Sequence, residues 1–129
     1  MKNIKFRVWD KEEKIILKHE DIKYINFCDK SICLRCGGFL DISDNPYVLM
    51  QYTGIKDKNG KEIYEGDIVK NYRHNTVTEC IYNDHYISFS FKDDLNEYFY
   101  FAIDSKHLEV IGNIYENPKL LEEGNNESL

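Results

Sequence analysis

The stretch Leu49–Lys70, LMQYTGIKDKNGKEIYEGDIVK, restricts the fold more than any other, because turn chemistry, strand alternation and charge pairing there specify one local structure. Asp57-Lys58-Asn59-Gly60 places Asp at the first position of a type I turn and Gly at the fourth, where a positive φ is needed. Closing this three-residue hairpin loop at Asp57 and Lys61 sets Lys56 opposite Glu62 and Ile55 opposite Ile63. Two unlike-charge pairs and one apolar pair then meet across the strands. Ahead of the loop, Val48, Met50 and Tyr52 share one face and Leu49, Gln51 and Thr53 the other, with Gly54 marking a bend. Behind it, Glu65-Gly66-Asp67 breaks the strand and Ile68-Val69 starts the next. All of these residues read as scaffold rather than as a ligand site.

The same alternation recurs along the chain. Ile4, Phe6 and Val8 alternate with Lys5, Arg7 and Trp9, Asp10 to Lys14 is a turn, and Ile15-Ile16-Leu17 returns, so the chain opens on a hairpin. Ile22, Tyr24 and Ile25 read as a short strand running into Asn26-Phe27. Thr76 to Tyr82 is rich in β-branched and aromatic residues, Asn83-Asp84 is a turn, and Ile87, Phe89 and Phe91 alternate with Tyr86, Ser88 and Ser90. Lys92-Asp93-Asp94 ends that strand; Phe99, Phe101 and Ile103 then face away from Tyr98, Tyr100 and Ala102. Leu108 to Ile114 follows Asp104-Ser105-Lys106-His107. Pro118 opens a helical turn whose Leu120-Leu121 packs back on the sheet. The fold expected is mainly β: a small antiparallel barrel or sandwich with an N-terminal hairpin and a short C-terminal helical turn. Gly66-Asp67-Ile68-Val69 followed by a long meander is similar to SH3-like barrels.

A chain of 129 residues suits one domain, expected over 1–121, with 122–129 as a flexible acidic tail too poor in apolar side chains to order itself. The formal charge of -6 speaks against an electrostatic grip on phosphate backbones. No run approaches the roughly 18 apolar residues of a membrane span, and no apolar leader opens the chain. The expectation is a soluble protein of a bacterial cytoplasm, where the thiols of Cys28, Cys33, Cys36 and Cys80 stay reduced.

Cys33-x-x-Cys36-Gly37-Gly38 has the spacing of a zinc knuckle, with Cys28 as a third thiolate, but no second pair completes it. The alternative makes Cys28 and Cys33 small buried hydrophobes and Cys36 a turn residue. The metal assignment is therefore none, with Cys28, Cys33 and Cys36 as its only candidates, and no cofactor is implied. His74, His85 and His107 form no catalytic spacing with the scattered carboxylates, and no phosphate loop or nucleophile elbow is present. Asp84, Asp93 and Asp94 read as ordinary turn residues.

QYTGIKDKNGKEIYEGDIVK, IKFRVWDKEEK (Ile4 to Lys14) and LEVIGNIYENPKLL (Leu108 to Leu121), which together make about a third of the chain, resemble the YopX family in sequence and in order. The resemblance implies a bacteriophage or prophage origin, a chain rich in β-structure and self-association, and it brings no catalytic residue with it. Between Lys18 and Asn45 no family pattern is seen.

The function expected is non-enzymatic: an accessory protein that self-associates as a homo-oligomer and binds a host or phage protein. Ten tyrosines are too many to bury, and the candidate partner surface is Trp9, Tyr82, Tyr86, Tyr98 and Tyr100, with interior packing the stronger reading for Trp9. The alternatives are a small nucleic-acid-binding barrel stacking bases on exposed tyrosines, which the acidic balance disfavours, and an acidic mimic of nucleic acid that occupies a basic host protein.

Overall fold

Alternating side chains cut by short polar turns lay the chain down as antiparallel strands, and the protein is mainly β as the pattern predicts. The computed structural model describes residues 4–43, 46–84, 88–93, 97–99 and 105–122. These fall into two compact units, one running to Gln51 and the other starting at Tyr52.

The first unit contains β1 (Phe6–Asp10), β2 (Ile15–Leu17), β3 (Ile22–Asn26), β4 (Ser31–Leu34), β5 (Phe39–Asp41) and the opening half of β6 (Tyr47–Lys56). β1 pairs with β2 on one side and β6 on the other, so Trp9 stands between Ile16 and Val48. The expected half-buried alternation fails at the end of β1: Val8, Trp9 and Asp10 are all buried, and Ile4 lies outside the strand, 69% exposed. Strand β3 is where the sequence places it. β4 and β5, which the sequence did not announce, pair beside it in the order β3-β4-β5. Ile25, Ile32 and Leu40 are cross-strand neighbours and pack with Val8 and Ile22 into the core of this unit.

In the second unit, β7 (Glu62–Tyr64) returns along β6, and β8 (Asp67–Asn71), β9 (Thr76–Asn83), β10 (Ser88–Lys92), β11 (Glu97–Phe99) and β12 (Leu108–Asn113) form a sheet ordered β11-β10-β9-β8-β12. Ile63, Val69, Cys80, Phe91 and Leu108 are its buried core. The predicted Lys56–Glu62 pair is present, but Ile55 does not sit opposite Ile63, because the register shifts between Tyr52 and Lys56. Thr53 stitches that bulge: its hydroxyl donates to the Ile63 carbonyl at 2.7 Å and accepts from the Ile55 N–H at 3.2 Å. The expected bend at Gly54 thus takes the form of a bulge, and the strand continues through it.

Three hairpins use one turn chemistry. Asp10, Asn26 and Asn71 each accept, through Oδ1, the backbone N–H groups two and three residues on. Four residues on, Lys14, Lys30 and Asn75 take φ values of 57, 56 and 53°. The short polar side chain satisfies donors that the turn would otherwise strand, and the left-handed residue restores the strand direction.

Asn113 begins like these turns, accepting from the N–H groups of Tyr115 and Glu116, but the chain then enters the helical turn at 120–122 expected from the sequence. Gly112 makes this closure possible. A Cβ there would meet Asn117 Oδ1 at 2.6 Å and Leu120 Cδ1 at 2.8 Å. Phe101 and Ile103 lie outside the described residues, as do residues 123–129 of the expected tail; Glu122 is exposed at the end of the helical turn.

Two substitutions test this account. Lys14→Gly relieves a left-handed side chain and is expected to raise unfolding free energy in urea by about 0.5–1 kcal/mol. Gly112→Ala drives a methyl into Asn117 and Leu120 and is expected to lower it by about 1–3 kcal/mol.

Candidate interaction surface

Among the described residues β12 is an edge strand, and its outward backbone groups need partners that no further strand there supplies. The 57–60 loop provides them. Lys58 N–H donates to the Leu108 carbonyl at 2.9 Å, and Val110 N–H donates to Asp57 Oδ2 at 2.9 Å. The other Asp57 oxygen accepts from Asn59 and Lys61 N–H at 2.8 and 2.9 Å, while Gly60, at φ 81°, donates to the Asp57 carbonyl. One carboxylate therefore holds the loop and docks it on β12. Burial raises the Asp57 carboxyl, but the three backbone donors and nearby Lys61 outweigh it and hold the group below the usual carboxylate range.

Around this point the side chains form a polar clasp. Glu109 accepts from the Tyr72 hydroxyl at 2.8 Å and from Asn59 Nδ2 at 3.2 Å, with Lys58 Nζ at 4.0 Å. The Lys58 and Lys70 ammoniums lie 4.1 and 5.1 Å from the centre of the Tyr72 ring. Hydrogen bonds from Tyr72 and Asn59 hold the Glu109 carboxyl low, and the bond to Glu109 raises the Tyr72 phenol. These residues are tied to one another, and their arrangement is that of a structural latch.

Trp9 is 7% exposed, in keeping with the packing reading. Tyr82 is 41% exposed and packs edge-on against Phe89, with ring centroids 5.4 Å apart. Tyr98 lies on β11, and Tyr86 and Tyr100 fall outside the described residues. His74 is in the β8–β9 turn and His107 in a 3-10 turn before β12, while His85 falls outside the described residues. Asp84 sits in a turn and Asp93 just past β10; Asp94 also falls outside them.

The four cysteines are thiols rather than halves of disulfides. Cys28 is exposed in the turn after β3, Cys33 is buried on β4, and Cys36 is exposed in the next turn. Cys28 is thus a turn residue rather than the buried hydrophobe of the alternative reading. Among the described residues, no three histidine, cysteine or acidic side chains come together to hold a metal ion.

Sequence reasoning missed the outward face of the β3-β4-β5 sheet. Tyr24, Cys33 and Phe39 are cross-strand neighbours and so share one face, opposite the Ile25-Ile32-Leu40 row. Tyr24 is 48% and Phe39 65% exposed, with Cys33 buried between them. The neighbouring Cys33, with burial and Asp29 adding, raises the Tyr24 phenol. The signal was present in Ser31-Ile32-Cys33-Leu34, whose alternation is that of a strand, but the cysteine spacing drew the reading toward a knuckle.

The model of the YopX protein family matches residues 5–122, and the chain belongs to that family. Protein EF1440 from Enterococcus faecalis, known from a crystal structure, is 31% identical, with a TM-score of 0.67 over 94% of this chain and 99% of its own. The yopX protein from Bacillus subtilis, also a crystal structure, shares the fold at 22% identity, with a TM-score of 0.60 over 94% of this chain and 99% of its own. No curated protein matches.

The depressed Asp57 carboxyl gives a pH dependence of known sign. The unfolded chain binds this proton more readily, so the stabilisation is full above the unfolded value, near pH 4, and is lost as pH falls through the lower folded value. Asp57→Asn is expected to cost about 1–3 kcal/mol at neutral pH and to flatten this part of the acid limb in urea titrations from pH 2 to 7.

Proposed function

We propose that the protein is a phage- or prophage-encoded accessory protein with no reaction of its own, acting in the bacterial cytoplasm by self-association and by binding a host or phage protein. The observation that carries this reading is the apolar surface left uncovered. Ile4, Ile15, Tyr24, Phe27, Phe39, Tyr72 and Tyr82 are between 41 and 69% exposed, spread over both compact units. Large apolar and aromatic side chains left exposed on each unit favour contact with another protein, whose binding recovers the burial that folding left unused. The phage or prophage origin rests on what membership of the YopX family implies, and the two units together are taken as one functional domain. Among the described residues no helix is long and apolar enough to cross a membrane.

Light scattering at rising concentration is expected to give a mass above that of one 15.4 kDa chain. A strict monomer at millimolar concentration removes the self-association part of the proposal. Capture from host lysate followed by mass spectrometry then tests the partner-binding part separately.

A further inference from the structure

We infer that the outward face of the β3-β4-β5 sheet docks an arginine-bearing basic segment of another protein, its guanidinium stacking on Tyr24 and Phe39 and reaching Asp29 and Asp41. This rests on the protein-binding reading above and names the surface and the chemistry of its partner.

The face is built for a flat cation. Tyr24 and Phe39 stand on the two outer strands, about 10 Å apart at the usual strand spacing, with the small Cys33 between them. Both rings are substantially exposed, Tyr24 at 48% and Phe39 at 65%, on either side of the buried Cys33. The next row on the same face is Asn26, Ser31 and Asp41, directly paired across the strands. Asp29, at the β3–β4 turn, accepts from Ser31 Oγ and from Asn26 Nδ2 at 3.4 Å and is close enough to influence the Tyr24 phenol. Asp41 accepts from Ser43 N–H and Oγ through Oδ1.

Two carboxylates thus lie beside two exposed rings, with Lys30 the cation felt by Asp41. An apolar partner would strand the carboxylates, and a phosphate backbone would be repelled by them. A basic side chain satisfies both halves. Arginine fits better than lysine, because its planar group stacks on rings and forks onto a carboxylate.

The test uses the full chain and a fluorescein-labelled peptide of alternating Arg and Gly, with an alternating Glu and Gly peptide and an oligothymidylate as comparison probes. Anisotropy at low salt is expected to show binding of the Arg peptide alone, with amide shift changes in NMR spectra centred on Tyr24, Cys33 and Phe39. Phe39→Ala is expected to weaken binding about two- to fivefold, and Asp41→Asn to weaken it and reduce its salt dependence, while Lys119→Ala, at an exposed position of the other unit, leaves it unchanged. Phe39 is largely exposed and is not among the core residues, so Phe39→Ala should fold. Failure of the Arg peptide to bind, equal binding by the Phe39 and Asp41 variants, or preferential binding of the oligothymidylate each overturns the inference. If the Arg peptide fails while copies of the chain still associate, the assignment of this face is wrong and self-association stands.

Discussion

The Asp57 carboxylate is the interaction on which the second unit depends. Its two oxygens serve different masters: one organises the loop that joins β6 to β7, and the other takes the Val110 N–H of β12. A local turn is thereby converted into a long-range contact between residues 53 positions apart in sequence. Glutamate would not reach both sides with the same geometry, and asparagine would present a donor where Val110 needs an acceptor, unless its amide oxygen took that side and left the loop unsatisfied. The exposed clasp of Glu109, Tyr72, Asn59 and Lys58 encloses this buried group, and its individual ion pairs contribute little by themselves.

A second constraint is repeated turn chemistry. Asp10, Asn26 and Asn71 solve the same problem in the same way, each supplying an oxygen to two backbone donors ahead of a left-handed residue. Because the strands they join are between three and eight residues long, their registers have little cross-strand pairing to define them. The turns carry that information instead. In the third case the left-handed position is filled by Asn75, a residue that tolerates it; in the first two it is filled by lysine at some cost in strain.

What could be read from the sequence follows from these mechanisms. The first hairpin, the 57–60 loop, β9 and β12 were legible because their turns and alternation agree. The Ile55–Ile63 pairing was misplaced because a bulge depends on one threonine hydroxyl finding a carbonyl across the strand, which no periodicity reveals. β4 and β5 escaped notice because they are four and three residues long and flank Gly37-Gly38, where the eye finds a knuckle. Burial of Trp9 beside Val8 also exceeds what alternation can say, since a strand covered on both sides loses its polar face. The exposed Tyr24 and Phe39 became a surface only once register placed them on either side of Cys33. Family membership was legible from the three blocks, and the first and last of those blocks now have physical content: Asp10 anchors a turn, and Gly112 with Asn113 and Asn117 closes the end of the sheet.

The loop seated on β12 has an effect beyond stability. An unguarded strand margin is a template onto which identical molecules can stack without limit, and here the Leu108 carbonyl and the Val110 amide are already engaged from within the chain. Extending the backbone ladder across these two groups would first require the 57–60 loop to lift off the strand, so the seated loop acts as a built-in guard of that margin.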